Sequence, residues 1–270
     1  MKKVGLHIRL EDRISEVIEK ADNLNLPTFQ SFLVNNSGKY IKLTEEDARN
    51  FVKLRKKYNN IFLHSSFWIN LASNRSYNLR LIKKELELAK KLKFTHMIIH
   101  PGSAKEHESK EHGIDLLAKR LNKILKEEKD ITILLENTAH GKATIGNDLL
   151  DFEKIQNKVD HQLKYCLDTA HAYAYGYDIK KPTGLEDFLN LVETIIGIKN
   201  VELIHLNDTT EALGSKHDRH SVPGEGKLGI RTLKNILEHP KLNKIDAVLE
   251  LPPKASDEQE VKAVNIFNQG

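Results

Sequence analysis

Short apolar runs alternate with stretches of helical period along nearly the whole chain, and that alternation leaves few ways to fold it. Residues 4–7, 28–32, 61–64, 97–100, 131–136, 165–168, 201–206 and 247–251 are strand candidates. Each is brief and mostly apolar, as a strand covered on both faces by other elements must be. The repeat averages roughly 34 residues, enough for one strand, one helix and two loops. Between the runs, Ile14, Val17, Ile18 and Ala21 share one helix face, as do Leu79, Ile82, Leu86 and Ala89, and Ile114, Leu117, Leu121 and Ile124. That three-and-four spacing makes a stripe packed on a sheet. Thr44 and Asp47, ahead of Ala48, Phe51 and Val52, mark an N-cap and acidic first turn for the second helix. The pattern predicts a closed TIM (β/α)₈ barrel, one domain over residues 1–270. An open doubly wound sheet is the weaker alternative, because the first strand is not followed by a Gly-rich dinucleotide turn.

Composition narrows the chemistry. With 39% hydrophobic and 30% charged residues among 270, the chain is neither disordered nor fibrous. Cys166 is its one cysteine, so an intrachain disulfide and a multi-cysteine zinc knot are both excluded, and any metal must be held by imidazole and carboxylate. No apolar run approaches the ~20 residues of a membrane span, and Met1-Lys2-Lys3-Val4-Gly5 enters strand-like sequence with no apolar signal core. The expectation is a soluble cytoplasmic protein, or a nuclear or virion-associated one in a eukaryotic or viral host, with no membrane partner. A formal charge of +4 permits a polyanionic partner without requiring one.

The informative residues sit at strand ends. His7, His64, His100, Glu136, Asp168 and Glu250 each close or nearly close a predicted strand, and His205 lies near the end of another. In a barrel those ends open onto one face. Singly, each is readily a structural histidine or a helix-capping acid. Together they would crowd ionisable groups over an apolar core, where desolvation and like-charge repulsion require bound cations or substrate. Asp168-Thr169-Ala170-His171 and Asp218-Arg219-His220 add local pairs of hard oxygen and borderline nitrogen donors, a mixture suited to Zn²⁺ or Mn²⁺.

The ordered set His64 with Asn70-Leu71-Ala72-Ser73, His100-Pro101-Gly102-Ser103, Leu135-Glu136-Asn137-Thr138, Leu167-Asp168-Thr169-Ala170-His171, His205-Leu206-Asn207-Asp208, Asp218-Arg219-His220 and Gly224-Glu225-Gly226 resembles the endonuclease IV family of apurinic/apyrimidinic (AP) endonucleases. The likeness runs from His7 to about Pro252. It implies a TIM barrel with three Zn²⁺, Mn²⁺ being possible at one or more sites, that acts as a monomer on double-stranded DNA containing abasic sites. It further implies cleavage 5′ to the lesion, leaving a 3′-hydroxyl and a 5′-deoxyribose phosphate. By resemblance, one metal falls to His64, His100 and Glu136, a second to Glu136, Asp168, His205 and Glu250, and a third to His171, Asp218 and His220. Glu136 and Glu250 are then the catalytic carboxylates around a metal-bridging hydroxide. Phe67 and Trp68 stand where wedging side chains are expected, with Arg219 and Lys39 as DNA contacts and Lys216, Lys142 and Lys227 as further phosphate candidates. His7, Asn207 and Asp208 are expected to orient ligands, His205 above all. Two departures stand out: Glu250-Leu251-Pro252 replaces the usual Glu-Thr-Pro, and the segment Asn35-Asn36-Ser37-Gly38-Lys39-Tyr40 offers Lys39 where an Arg is common. The rival is a sugar isomerase or epimerase on the same barrel, with one metal on Glu136, Asp168, His205 and Glu250. It leaves His64, His100, His171, Asp218 and His220 unexplained. His107, His112, His140, His161, His217 and His239 are expected on the surface.

Overall fold

The computed structural model describes residues 3–35, 38–107 and 109–269. Eight parallel strands close on themselves: β1 (Gly5–His7), β2 (Phe29–Ser31), β3 (Phe62–His64), β4 (His96–Ile99), β5 (Thr132–Glu136), β6 (Lys164–Asp168), β7 (Val201–His205) and, after a small antiparallel hairpin of β8 (Asp208–Thr209) and β9 (His220–Ser221), β10 (Asp246–Leu249). Leu6 closes the ring, in register with Phe29 of β2 and Leu249 of β10. The helices are α1 (Ile14–Asn23), α2 (Glu45–Leu54), α3 (Tyr77–Lys91), α4 (Lys110–Glu127), α5 (Leu150–Gln156), α6 (Thr169–Tyr175), α7 (Pro182–Ile195), α8 (Gly229–Glu238) and α9 (Asp257–Asn268). This is the TIM barrel that the sequence predicts, with strand limits within a few residues of those expected. Among the described residues, no helix is long and apolar enough to cross a membrane.

Strand alternation divides the apolar residues into two cores. Phe62, Ile98, Leu134, Cys166, Leu203 and Val248 pack inside the barrel as their own cluster. Leu63, Ile99, Leu135, Ile204 and Leu249 instead join the larger core with the helix stripes, Ile14, Val17 and Ile18 of α1 among them. Two residues beyond each interior side chain, the same phase delivers His64, His100, Glu136, Asp168, His205 and Glu250. One rule thus fills the barrel with hydrocarbon and crowns it with ionisable groups.

The second helix starts as predicted, Thr44 Oγ1 accepting the Asp47 N–H at 3.1 Å. Asp47 does something its sequence position hides. Its buried carboxylate accepts the N–H groups of Ile14 at 2.9 Å and Ser15 at 3.2 Å, capping α1 from the neighbouring helix.

At the opposite end of the barrel, Glu202 meets His96 Nε2 at 3.0 Å and Lys164 Nζ at 2.8 Å. The His96 hydrogen bond, helped by Lys164 and opposed by burial, holds the Glu202 carboxyl down at about 2. A depressed carboxylate contributes stability that is complete above its unfolded value of 4.5 and is lost as pH falls toward 2. Urea unfolding of Glu202→Gln across that window should show a shallower acid loss, by on the order of 1 kcal/mol because the pair is partly solvated. Parallel curves for the two proteins would show that the pair is energetically silent.

Candidate metal centre

Glu136, at the end of β5, has no solvent exposure. Its Oε2 faces His64 Nε2 at 3.1 Å and His100 Nε2 at 2.9 Å, and its Oε1 faces His205 Nδ1 at 2.8 Å and His171 Nδ1 at 3.5 Å. His205 Nδ1 also meets Glu250 Oε2 at 3.4 Å and Asp168 Oδ2 at 3.8 Å, so three carboxylates converge on one ring nitrogen. To one side, Asp218 reaches His171 Nε2 at 3.2 Å and His220 Nε2 at 3.3 Å, while His220 Nε2 lies 3.6 Å from Asp168 Oδ2. All nine residues that the sequence analysis put forward as ligands therefore meet at the C-terminal mouth. Among the described residues, donor atoms within 4.8 Å of one another form the sets His64, His100 and Glu136; Glu136, Asp168, His205 and Glu250; Glu136, Cys166 and His205; and Asp168, His171 and His220, the last with Asp168 where the sequence analysis put Asp218.

The outer contacts of the rings decide what those short distances mean. His64 Nδ1 lies 2.8 Å from the Ser65 carbonyl and His171 Nδ1 2.8 Å from the Asn137 carbonyl, so each must carry hydrogen there. His205 Nε2 likewise faces Gln30 Oε1 at 2.8 Å. In a neutral ring the other nitrogen then bears a lone pair. For His64, His171 and His205 that nitrogen points at a carboxylate oxygen, an acceptor against an acceptor, unless a cation lies between them. Protons can play that part in the chain alone. Burial opposes charge on His205 and His171, yet the facing acidic groups hold both well above the ordinary histidine value. Burial likewise raises Glu136 and Glu250, and the imidazoles more than reverse it, holding both well below the carboxylate range. Asp168 goes the other way, raised by burial despite His171 and His220. A donor set of imidazole lone pairs and converging carboxylates fits divalent metal. Cys166, fully buried with its thiol pushed up to about 12 by burial, fits the apolar layer beneath.

Ligand orientation differs from expectation. Gln30 of β2, which no motif marks, binds three site residues at once: its amide nitrogen donates to Glu250 Oε1 at 2.6 Å and to His7 Nδ1 at 2.7 Å, and its oxygen accepts from His205. Strand phase was the available signal, since Gln30 is the inward residue of β2. His7 serves Gln30 and Glu250, not His205, and its buried Nε2 has no partner among the described residues. Asn207 donates to Asp168 Oδ2 at 2.5 Å and Glu250 Oε2 at 3.0 Å, orienting carboxylates where an imidazole was expected. Asp208 touches no ligand side chain. It accepts N–H groups from Thr209, Gly224, Gly226, Leu228 and Gly229, because the loop after β9 turns back over it. A Cβ on Gly226 would lie 2.3 Å from Asp208 Oδ1, which is why that position lacks a side chain.

Above the ligands opens a cleft of about 760 Å³ lined by Phe32, Phe67, Trp68, Arg9, Arg219 and Leu251 as well as His64, His100, His171 and His220. Phe67 is 68% exposed and Trp68 39%, their rings 4.5 Å apart. Arg219 projects outward near Glu211 at 3.6 Å, and Lys39 is exposed; Asn36 and Ser37 beside it lie outside the described residues. Lys216 is not free for phosphate, being seated 3.4 Å from the centroid of the Tyr175 ring and bonded to the Tyr175 carbonyl. His107 is half-buried rather than on the surface, its Nε2 2.6 Å from the Ala72 carbonyl, and His239 is half-buried against Glu186.

Fold and site define a TIM barrel with a buried imidazole–carboxylate centre at its mouth. Residues 18–265 match the family described as the xylose isomerase-like TIM barrel. The chain is 31% identical to a probable endonuclease 4 of Halothermothrix orenii over 99% of both sequences. It superposes on the crystal structure of endonuclease IV from Thermus thermophilus with a TM-score of 0.86 and 26% identity, covering 99% of this chain and 98% of that one. A D-tagatose 3-epimerase-like protein gives a TM-score of 0.75 at 22% identity, over 100% of this chain and 96% of that one, a likeness of fold alone. The chain belongs to the endonuclease IV family of xylose isomerase-like barrels.

Gln30→Leu removes one amide that fixes His205, His7 and Glu250. Competition with a chromogenic chelator should show weaker zinc binding by roughly 10- to 100-fold with the fold intact by circular dichroism. Undiminished affinity would leave Gln30 with a packing role only.

Proposed function

We propose that this protein is a zinc-dependent AP endonuclease of DNA repair, hydrolysing the phosphodiester 5′ to an abasic site in double-stranded DNA to leave a 3′-hydroxyl and a 5′-deoxyribose phosphate. The observation that carries the reading is the convergence of ring nitrogens on carboxylates: His64 Nε2, His171 Nε2 and His205 Nδ1 each face a carboxylate oxygen across about 3 Å, and each becomes a metal donor once its proton is displaced. Family membership supports the same reaction. One ion would rest on His64, His100 and Glu136, one on Glu136, Asp168, His205 and Glu250, and one on His171, Asp218 and His220. Bound there, such ions would supply Lewis acidity, lowering the pKa of water and offsetting charge on the phosphate.

The chain's own side chains then position and shield. Glu250, its Oε1 held by Gln30, turns Oε2 toward Asn207 and the mouth, where it orients the attacking water. Glu136 stays fixed between four imidazoles. Phe67 and Trp68 rise beside the cleft as apolar surfaces that replace stacking around an extruded nucleotide, and Arg219 and Lys39 lie outward for phosphate contact. The single-metal epimerase reading draws support from the compact quartet of Glu136, Asp168, His205 and Glu250. It leaves His64, His100, His171, Asp218 and His220 without a task.

Elemental analysis should find about three zinc ions per chain, and an oligonucleotide duplex with one abasic site should be nicked on its 5′ side until chelator is added. One ion with no nicking favours the epimerase. Glu250→Gln should lower turnover by about three orders of magnitude or more while DNA affinity falls only modestly; turnover near the parent's would remove Glu250 from the mechanism. Trp68→Ala and Phe67→Ala should each weaken binding to abasic duplex by roughly tenfold and to intact duplex less, on the scale of one lost stacking surface. Equal losses on both duplexes would rule out a wedge.

A further inference from the structure

β1 ends at His7, but its pairing does not stop there: the Ile8 N–H donates to the Gln30 carbonyl at 2.8 Å, and Ile8 is buried. The alternation therefore carries into Arg9, which lines the cleft on the same wall as His7, Leu10, Glu250 and Leu251. Its guanidinium is anchored by main-chain carbonyls, Leu251 at 3.5 Å and Pro252 more closely, both just past Glu250. No carboxylate among the described residues forms an ion pair with it. The cleft's other arginine, Arg219, is 75% exposed and faces Glu211. Arg9 thus joins a fixed position to a charge that no acid among the described residues answers, above a centre rich in buried carboxylate. Two neutral carbonyls occupy part of a five-donor fork and leave the rest for an oxyanion. Below it, the Gln30 amide makes His7 Nδ1 an acceptor and so puts hydrogen on Nε2, a second donor of this wall without a partner among the described residues.

We propose that Arg9 is the phosphate-binding residue of the β1–β10 wall, receiving a backbone phosphate of the bound DNA strand. This rests on the endonuclease reading. Fixing one phosphate beside Glu250 would set how far the strand descends into the cleft, a specificity role that the exposed Lys39 and Arg219 are too loosely held to fill.

A cation that neutralises one phosphate contributes about 0.9 to the slope of log binding constant against log salt, and a residue that merely clamps a loop contributes none. Trp68 is the one tryptophan of the chain and lies in the cleft, so its fluorescence reports duplex binding to the zinc-loaded protein. Intact duplex, which is not cut, should bind Arg9→Gln roughly tenfold more weakly at low salt, with the slope reduced by about one. Arg9→Lys should keep the slope and most of the affinity. On abasic duplex, Arg9→Gln should raise KM more than it lowers kcat. Equal losses in both variants with an unchanged slope would show a carbonyl clamp and overturn the proposal. Wild-type protein that fails to nick abasic duplex would overturn the endonuclease reading and this one with it, whereas nicking by the wild type with an unaltered Arg9→Gln slope removes Arg9 alone.

Discussion

A carboxylate with no access to water, set over a plug of hydrocarbon, is a costly arrangement, and Glu136 is in that position. It persists because imidazoles from β3, the end of β4, α6 and β7 all turn toward it, and three of those rings, His64, His171 and His205, are themselves held by a carbonyl or amide oxygen. The dependence is mutual. Removing the acid would leave histidines facing one another, as His64 and His205 already do with ring centroids 5.9 Å apart. The barrel therefore supplies more than a platform: closing eight strands is what brings groups more than a hundred residues apart in sequence into one dry space. A divalent ion placed there would replace protons already demanded by the geometry.

How much of this could be read in the sequence follows from what is local. Strand phase is local, so the ends of the apolar runs identified His64, Glu136, Asp168 and His205 with their inward direction implied. Asp218 and His220 were legible through a short spacing and the resemblance that it completed. Partners brought together by closure were not. Gln30 sits in Phe29-Gln30-Ser31, three residues with no motif, and becomes a hub only because β2 passes between His7 and the rest. Asp47 reads as part of its own helix while capping another, and Asp208 reads as a neighbour of His205 while gathering the N–H groups of a loop well downstream. In each case the side chain's identity was evident and its hydrogen-bonding duty was set by an element distant in sequence.

The rim obeys a different constraint from the ligand layer. Phe67 and Trp68 are exposed, yet the loop that carries them is fixed from below, where buried Glu85 of α3 takes the Ser66 N–H at 3.2 Å and the Ser66 hydroxyl. The same carboxylate accepts the Tyr40 hydroxyl at 3.0 Å, joining the loops after β2 and β3. Trp68 completes the connection by leaning over Gly38, where a Cβ would come within 2.6 Å of the indole. Apolar surface is thus held out toward solvent by polar bonds made out of solvent's reach, an arrangement suited to meeting a ligand without the entropic loss of ordering the loop at that moment.

The third group of candidate ligands shows why one barrel can carry different chemistries. His64, His100, Glu136, Asp168, His205 and Glu250 end strands, and their places follow from the ring itself. Asp218 and His220 belong to the β8–β9 hairpin, which is held together by the pairing of Asp208 with Ser221 and by the Thr209 hydroxyl bonded to the Arg219 carbonyl at 2.8 Å, and is tied to α6 where the N–H groups of Gly214 and Lys216 donate to the Tyr173 and Ala174 carbonyls at 3.2 and 2.9 Å. Asp208 gathers the loop beyond the hairpin, and Gly226 lets that loop approach closely enough to be gathered. Position in the hairpin is therefore independent of strand closure. A barrel without this hairpin would keep Glu136, Asp168, His205 and Glu250 and still hold a compact four-residue centre; with it, His171 gains two partners and the centre extends sideways under the cleft. The step from a small-molecule site to one broad enough for a polymer backbone then lies in a loop, while the strands remain common to both.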